Sequence, residues 1–362
     1  MIDFQPAEEQ ALIIDTVRQF AQNEIRPMAR KSDEARALSG EVLAHAHELG
    51  LVANSLPEEH GGGGEHSAMT HALIVEELAW GDLAHAIAIL SPGLLGLPVS
   101  LYGTAQQQAE ILPGLTGPDL VPGSLALVEP SFAFDPFAPQ LRAKADGDAY
   151  VLDGRKCFVP WLEGTRHILV IAGSDAGPLA FLVPRGSAGL SAEPERNMGL
   201  LALPTVELTF DSVRVPRSSV LGGDAGADVR AIVNRGRVAL AAAAVGVARA
   251  SFELARDYAK QRETFGVPIA MQQSIAFKIA DMLTEIDGAR LLTWEAAWLL
   301  DQGQDVTREA VLAQQKAQKV VLDVADGAVQ VYGGHGYTRE YLPEMHLRNG
   351  RGFSSFEALC LV

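Results

Sequence analysis

Apolar positions between residues 7 and 29 fall at Leu12, Ile13, Val17, Phe20, Ala21 and Ile25. Their spacing is close to a 3.6-residue period and predicts an amphipathic helix. A second helix is predicted over residues 41–49, stopping at Gly50. The turn Pro57-Glu-Glu-His-Gly61-Gly-Gly-Gly64 breaks the pattern, and helices resume over 67–79, 84–90 and 106–112. Near residue 122 the texture changes to short alternating runs separated by glycine and proline. Strands are predicted at 140–145, 150–152, 167–172, 179–183, 205–210 and 212–215, with a turn at Asp146-Gly147-Asp148 and a hairpin at Asp153-Gly154. From about Asp228 the period is helical again, over 238–261, 269–300 and 306–331.

The order predicts a helical N-terminal domain (1–121), an antiparallel β-barrel or sandwich in the middle (122–227) and a C-terminal four-helix bundle (228–362). A chain of 362 residues has room for such cores.

Charge narrows the possible partners. Forty-five acids against 29 bases give a net charge of −16, which argues against nucleic-acid binding but leaves room for an anionic ligand on a few local arginines. The N-terminus carries no signal-peptide pattern, no apolar run approaches ~18 residues, and no membrane span is expected. Cytoplasmic localisation is the default. The two cysteines, Cys157 and Cys360, read as small apolar side chains rather than a redox pair, and the nine histidines show no metal spacing.

Chemistry concentrates near the C-terminal end. A glycine-rich turn, Gln330-Val-Tyr-Gly333-Gly334-His-Gly336, follows a helix and brings backbone close to a ligand. A lone acid, Glu357, follows in a mostly apolar segment, the setting that raises a carboxylate into the range of a general base. Together they suggest a chain that holds a cofactor and takes a proton from carbon. The segment Arg262-Glu-Thr264-Phe265-Gly266 through Gln273 offers a bidentate fork for phosphate, though it also reads as a helix C-cap with Arg262 at the negative end of the dipole.

These motifs, in this order, resemble the acyl-CoA dehydrogenase family. The resemblance extends to Leu49-Gly50-Leu51 with Pro57-Glu-Glu-His-Gly61, to Leu112-Pro-Gly-Leu-Thr-Gly, and to Val213-Arg-Val-Pro216. It implies a flavoenzyme that introduces a double bond beside a thioester, with Glu357 as base and FAD as hydride acceptor. Arg262, Thr264, Phe265 and Gln273 would contact FAD, while Gln330, Gly333 and Gly334 would reach the adenosine end of an FAD held mainly by a neighbouring subunit. Arg237 would lie near the CoA chain. The family's second position for the base is Gly236 here, which leaves Glu357. The implied partners are an acyl-CoA and an electron-transfer flavoprotein, in fatty acid metabolism. The implied assembly is a homotetramer, or an α2β2 heterotetramer.

The chain departs from the family at three places. The family's Thr-Glu-Pro-Gly-x-Gly-Ser loop is Val128-Glu129-Pro130-Ser131-Phe132-Ala133-Phe134, which puts Val128 at the flavin and Phe134, with Phe132, at the acyl entrance. The Trp-Ile-Thr-Asn strand is Phe158-Val159-Pro160-Trp161, and Pro160 has neither a side-chain donor nor an N–H for the flavin. The glycine-threonine after the catalytic glutamate is Ala358-Leu359. Such losses suit a second possibility, a non-catalytic or half-site subunit that supports a partner's flavin. Oxygen reactivity would separate a third, an oxidase or monooxygenase on the same scaffold.

Overall fold

A computed structural model describes residues 6–64 and 66–362. The N-terminal region contains α1 (Glu8–Phe20), continued through a π-helical turn at Ala21–Ile25 into α2 (Arg26–Ala35). There follow α3 (Gly40–Glu48), α4 (Ala68–Gly81), α5 (Leu83–Leu90), α6 (Gly93–Tyr102) and α7 (Ala105–Leu115). The sequence pattern did not predict α6, because Gly93, Gly96 and Pro98 mask its helical period; Gly96 faces Leu56 and Leu115 where a side chain would crowd them.

The middle region contains β1 (Ser124–Ala126), β2 (Arg142–Asp146), β3 (Ala149–Pro160), β4 (His167–Ser174), β5 (Gly177–Pro184), β6 (Leu190–Pro194) and β7 (Thr205–Pro216). They form one sheet in the order β1-β4-β2-β3-β7-β6, with β5 on β4. Among the described residues no pairing closes this sheet into the expected barrel, and β4 runs parallel to both β1 and β2. Asp153-Gly154 is not a hairpin. It is a bulge inside β3, with Gly154 at φ +141° and its Cα edge against Leu141. The reversal lies at Gly147, between β2 and β3.

The C-terminal region is built on α8 (Val229–Gln261). A two-residue hairpin, β8 (Glu263–Thr264) with β9 (Val267–Pro268), leads to α9 (Gln273–Asp301) and α10 (Thr307–Tyr332). Among the described residues no fourth long helix completes the expected bundle: the short α11 (Gly334–Tyr337) and α12 (Pro343–Gly352) follow, and α4 of the N-terminal region packs on α8 instead. The crossing is close because Gly246 of α8 lies under the Glu76 carbonyl and Ala79 of α4. The two buried carboxylates on α4 are matched there: Glu77 accepts from Arg18 and Arg249, and Glu76 from Arg249 and Arg290. The apolar stretches Leu83–Tyr102 and Val229–Gln261 are long enough to cross a bilayer, but lie mostly inside the protein as core helices.

Candidate active site

Glu357 lies in a segment without regular structure that follows α12, with Phe356 and Ala358–Val362 buried around it. Its carboxylate is not alone among apolar groups, as the sequence suggested. Arg237, from the first third of α8, donates through Nε to Oε1 at 2.5 Å, and its Nη2 reaches the same oxygen. From α10, Gln314 approaches Oε2 at 3.4 Å. Phe137 backs the arginine: its ring lies 5.6 Å from the Arg237 guanidinium and 4.8 Å from that of Arg230. Phe134 packs against the neighbouring apolar cluster, whereas Phe132 points into solvent. The aromatic beside the base pair is therefore Phe137. Neither Phe137 nor Gln314 lies in a motif that would mark it in the sequence.

A cavity of about 320 Å³ opens between the sheet and this segment, walled by Phe158, Leu200, Arg348, Arg351, Ser355 and Phe356. Phe158 has φ +55°, and its ring meets Phe356 edge-on at 5.6 Å. A non-glycine residue held in that region is a cost tolerated where position matters. Its N–H donates to Glu195 Oε1 at 3.0 Å, while Glu195 Oε2 is buried with no partner. Val128 and Pro160 border the same strand: the Val128 carbonyl accepts from the Cys157 N–H, and the Pro160 carbonyl from the Ser124 hydroxyl. These carbonyls are thus engaged within the protein.

Lys156, fully buried on β3, supports the loop leading to Phe134 and Phe137. It donates to the Leu127 carbonyl and to Glu129 Oε1, each at 2.8 Å. Glu129 in turn accepts from the N–H groups of Gln140 and Leu141. Burial pushes the lysine down to about 8, against the pull of Glu129. The pair was missed in the sequence, where Glu129 was noted only within its loop motif.

A second cleft, of about 470 Å³, borders the start of α8 and is lined by Tyr102, Arg230, Asn234, Arg235 and Asp305. Asn234 is buried, and its Oδ1 has no partner.

The remaining predicted residues lie at the other end of α8. Arg262, Thr264, Phe265 and Gln273 are exposed, as are Gln330, Gly333 and Gly334. The two groups share one end of the helices: Tyr258, whose carbonyl accepts from the Arg262 N–H, bonds through its hydroxyl to His335 at 3.0 Å. Arg262 makes no side-chain ion pair among the described residues. Phe265 is 99% exposed. With Gly266 it forms a turn of positive φ at both positions, +53° and +79°. A Cβ built at Gly333, Gly334 or Gly266 meets nothing within 4 Å, so ligand atoms have free access to the backbone there. None of these residues lines the Phe158 cavity. Arg262 follows Arg237 by 25 residues along α8, about 38 Å at a rise of 1.5 Å per residue. Arg237 and Arg262 therefore stand far apart along the same helix.

The structure thus has an aromatic-walled cavity at one end of α8 and, at the other, an arginine without an ion pair among the described residues, an exposed aromatic ring and open glycines. Models for the N-terminal, middle and C-terminal domains of acyl-CoA dehydrogenases match residues 7–118, 124–213 and 227–357. A probable acyl-CoA dehydrogenase of Bacillus subtilis is 34% identical over 100% of this chain and 99% of its own. Among solved structures, butyryl-CoA dehydrogenase from Megasphaera elsdenii superposes with a TM-score of 0.89 at 30% identity, over 99% of this chain and 96% of that one. A glutaryl-CoA dehydrogenase from Mycobacterium smegmatis in complex with FADH2 gives 0.88 at 28% identity, over 98% and 92%.

Proposed function

The chain belongs to the acyl-CoA dehydrogenase family, and on that premise we propose that it oxidises an acyl-CoA thioester to the 2-enoyl-CoA. The carrying observation is the carboxylate of Glu357, aimed between α8 and α10 by Arg237 and Gln314, one residue past Phe356, which walls the aromatic cavity. Glu357 takes the α-proton, and its own N–H faces the thioester oxygen as charge develops there. Arg237 holds the carboxylate in place until the thioester enters. FAD, when bound, accepts the hydride from the β-carbon. Phe158 and Phe356 would flank its ring system, and Arg262, Thr264, Phe265, Gln273, Gln330, Gly333 and Gly334 would hold its nucleotide portion. The ~38 Å between Arg237 and Arg262 along α8 supports Arg262 and its neighbours serving a second copy's cofactor. The CoA chain would leave along the start of α8, past Arg230 and Asn234. An electron-transfer flavoprotein would reoxidise the flavin, in fatty acid metabolism.

A second possibility, a half-site subunit of a heteromeric enzyme, draws its support from Pro160. Its carbonyl is already engaged by Ser124 and it has no N–H. One measurement separates the two: the visible spectrum of the purified protein before and after anaerobic addition of a series of acyl-CoAs. Bleaching of a flavin band by one thioester is the expected result and names the acyl class. A colourless protein that acquires flavin only with a partner subunit would establish the half-site alternative.

A further inference from the structure

We propose that Gly236 is a positioning residue for Glu357, matched to Ala358 so that the two together set where the carboxylate stands. The proposal rests on Glu357 being the base. Gly236 is buried within α8. Glycine is the poorest helix former after proline, so a helix interior retains it where a side chain has no room. A Cβ built at Gly236 would stand 2.4 Å from the Cβ of Ala358, 3.3 Å from its Cα and 3.5 Å from the carbonyl oxygen of Glu357. The backbone of α8 thus rests directly on the residue that follows the base. One position further along, Arg237 grips the carboxylate itself at 2.5 Å. The helix therefore fixes Glu357 twice, through its backbone at 236 and through its side chain at 237.

The segment after α12 has no ladder of its own to do this. It forms neither helix nor strand from Phe353 to Val362. Its course depends on what it packs against: α8 on one side, and on the other Gln314, which approaches the Phe356 carbonyl at 3.5 Å. Ala358, where the family has glycine, is accommodated because residue 236 has no side chain. A departure that looked like decay of the site is thus compensated across the contact.

The test compares Gly236→Ala with the exchanged pair, Gly236→Ala with Ala358→Gly, as flavin-loaded full-length proteins. Each is mixed anaerobically with the thioester that bleaches the wild type. Restoring an ordinary carbon–carbon distance from 2.4 Å moves the segment by about 1 Å, and a displacement of that size costs on the order of 10²-fold in rate. We expect that loss in the limiting rate of bleaching for Gly236→Ala. The half-saturating thioester concentration and the oxidised flavin spectrum should stay near wild type, and the exchanged pair should regain most of the rate. A single variant as fast as wild type overturns the proposal, as does an exchanged pair as slow as the single variant. Should Gly236→Ala fail to fold, the exchanged pair decides alone, its wild-type rate supporting the proposal and a slow rate refuting it. A wild type that no thioester bleaches removes the role of Glu357, and this proposal with it.

Discussion

Arg237 Nε and Glu357 Oε1 are 2.5 Å apart, although the residues are 120 positions apart in sequence. The contact joins the start of α8 to the segment after α12, and it places the proposed base in an ion pair.

Glu357→Gln should lower the limiting rate of flavin bleaching by about 10²–10⁴-fold, the usual contribution of a general base, with the oxidised flavin spectrum kept. Unchanged turnover would reject Glu357. Arg237→Gln should also slow bleaching, by about tenfold or more, since it frees the carboxylate from the geometry that aims it. Rapid-mixing absorbance measures both.

Phe265→Asn separates strain from ligand contact. Phenylalanine at φ +53° costs about 1–2 kcal/mol, and asparagine tolerates the same turn. The variant should equal or exceed wild type in resistance to denaturant. Its flavin-to-protein absorbance ratio after purification should nonetheless fall, because an exposed ring is lost from the nucleotide grip.

Lys156→Met leaves Glu129 buried without its partner. Removing one member of a buried pair costs about 3–5 kcal/mol. The unfolding midpoint in urea should drop accordingly. Lys156→Met combined with Glu129→Gln should recover part of that loss, and a double variant weaker than the single one would refute the pairing as the cause.

Acid should destabilise the fold through its buried histidines. Burial, followed by Arg26 and Arg30, pushes His346 down to about 3, where its Nδ1 lies 3.1 Å from the Ser251 hydroxyl. Burial, His66 and Arg235 likewise push His71 to about 3, and burial with Arg235 pushes His66 to about 4. Unfolded, each would take a proton near the ordinary 6.5. From about 6.5 down to about 3 for His346 and His71, and down to about 4 for His66, the unfolded chain therefore binds more protons, and stability falls as pH falls, by up to about 1.4 kcal/mol per pH unit for each such histidine. His346→Gln should make that slope shallower; an unchanged slope between pH 6 and 4 in denaturant titrations would exclude His346 as a contributor.

Much of this architecture was legible in the sequence because period and punctuation agreed. The predicted helix at 67–79 is Ala68–Gly81, and that at 306–331 is Thr307–Tyr332, each with the apolar positions that α8 covers. Local cues misled where a contact from elsewhere decided the conformation. Asp153-Gly154 has the composition of a hairpin, but the glycine is there for the approach of Leu141, and β3 continues through it. Arg237 and Glu357 were both identified separately from family motifs, yet nothing in either motif placed one against the other. Gln314 and Phe137 have no local signature at all, since their positions follow only from how α10 and the loop after Glu129 meet the segment beyond α12.

The length of α8 sets a geometric constraint. The helix carries Arg237 near one end and leads into Arg262 at the other. If Arg237 holds Glu357 in one site while Arg262 serves a second copy's cofactor, the helix is a ruler between subunits. Inserting or deleting one residue between them would shift the far end by about 1.5 Å and turn it by about 100°. That would swing the arginine away from its phosphate while leaving each domain able to fold. A library of single-residue insertions should find the span from 237 to 262 as a stretch where soluble protein persists and yellow colour is lost.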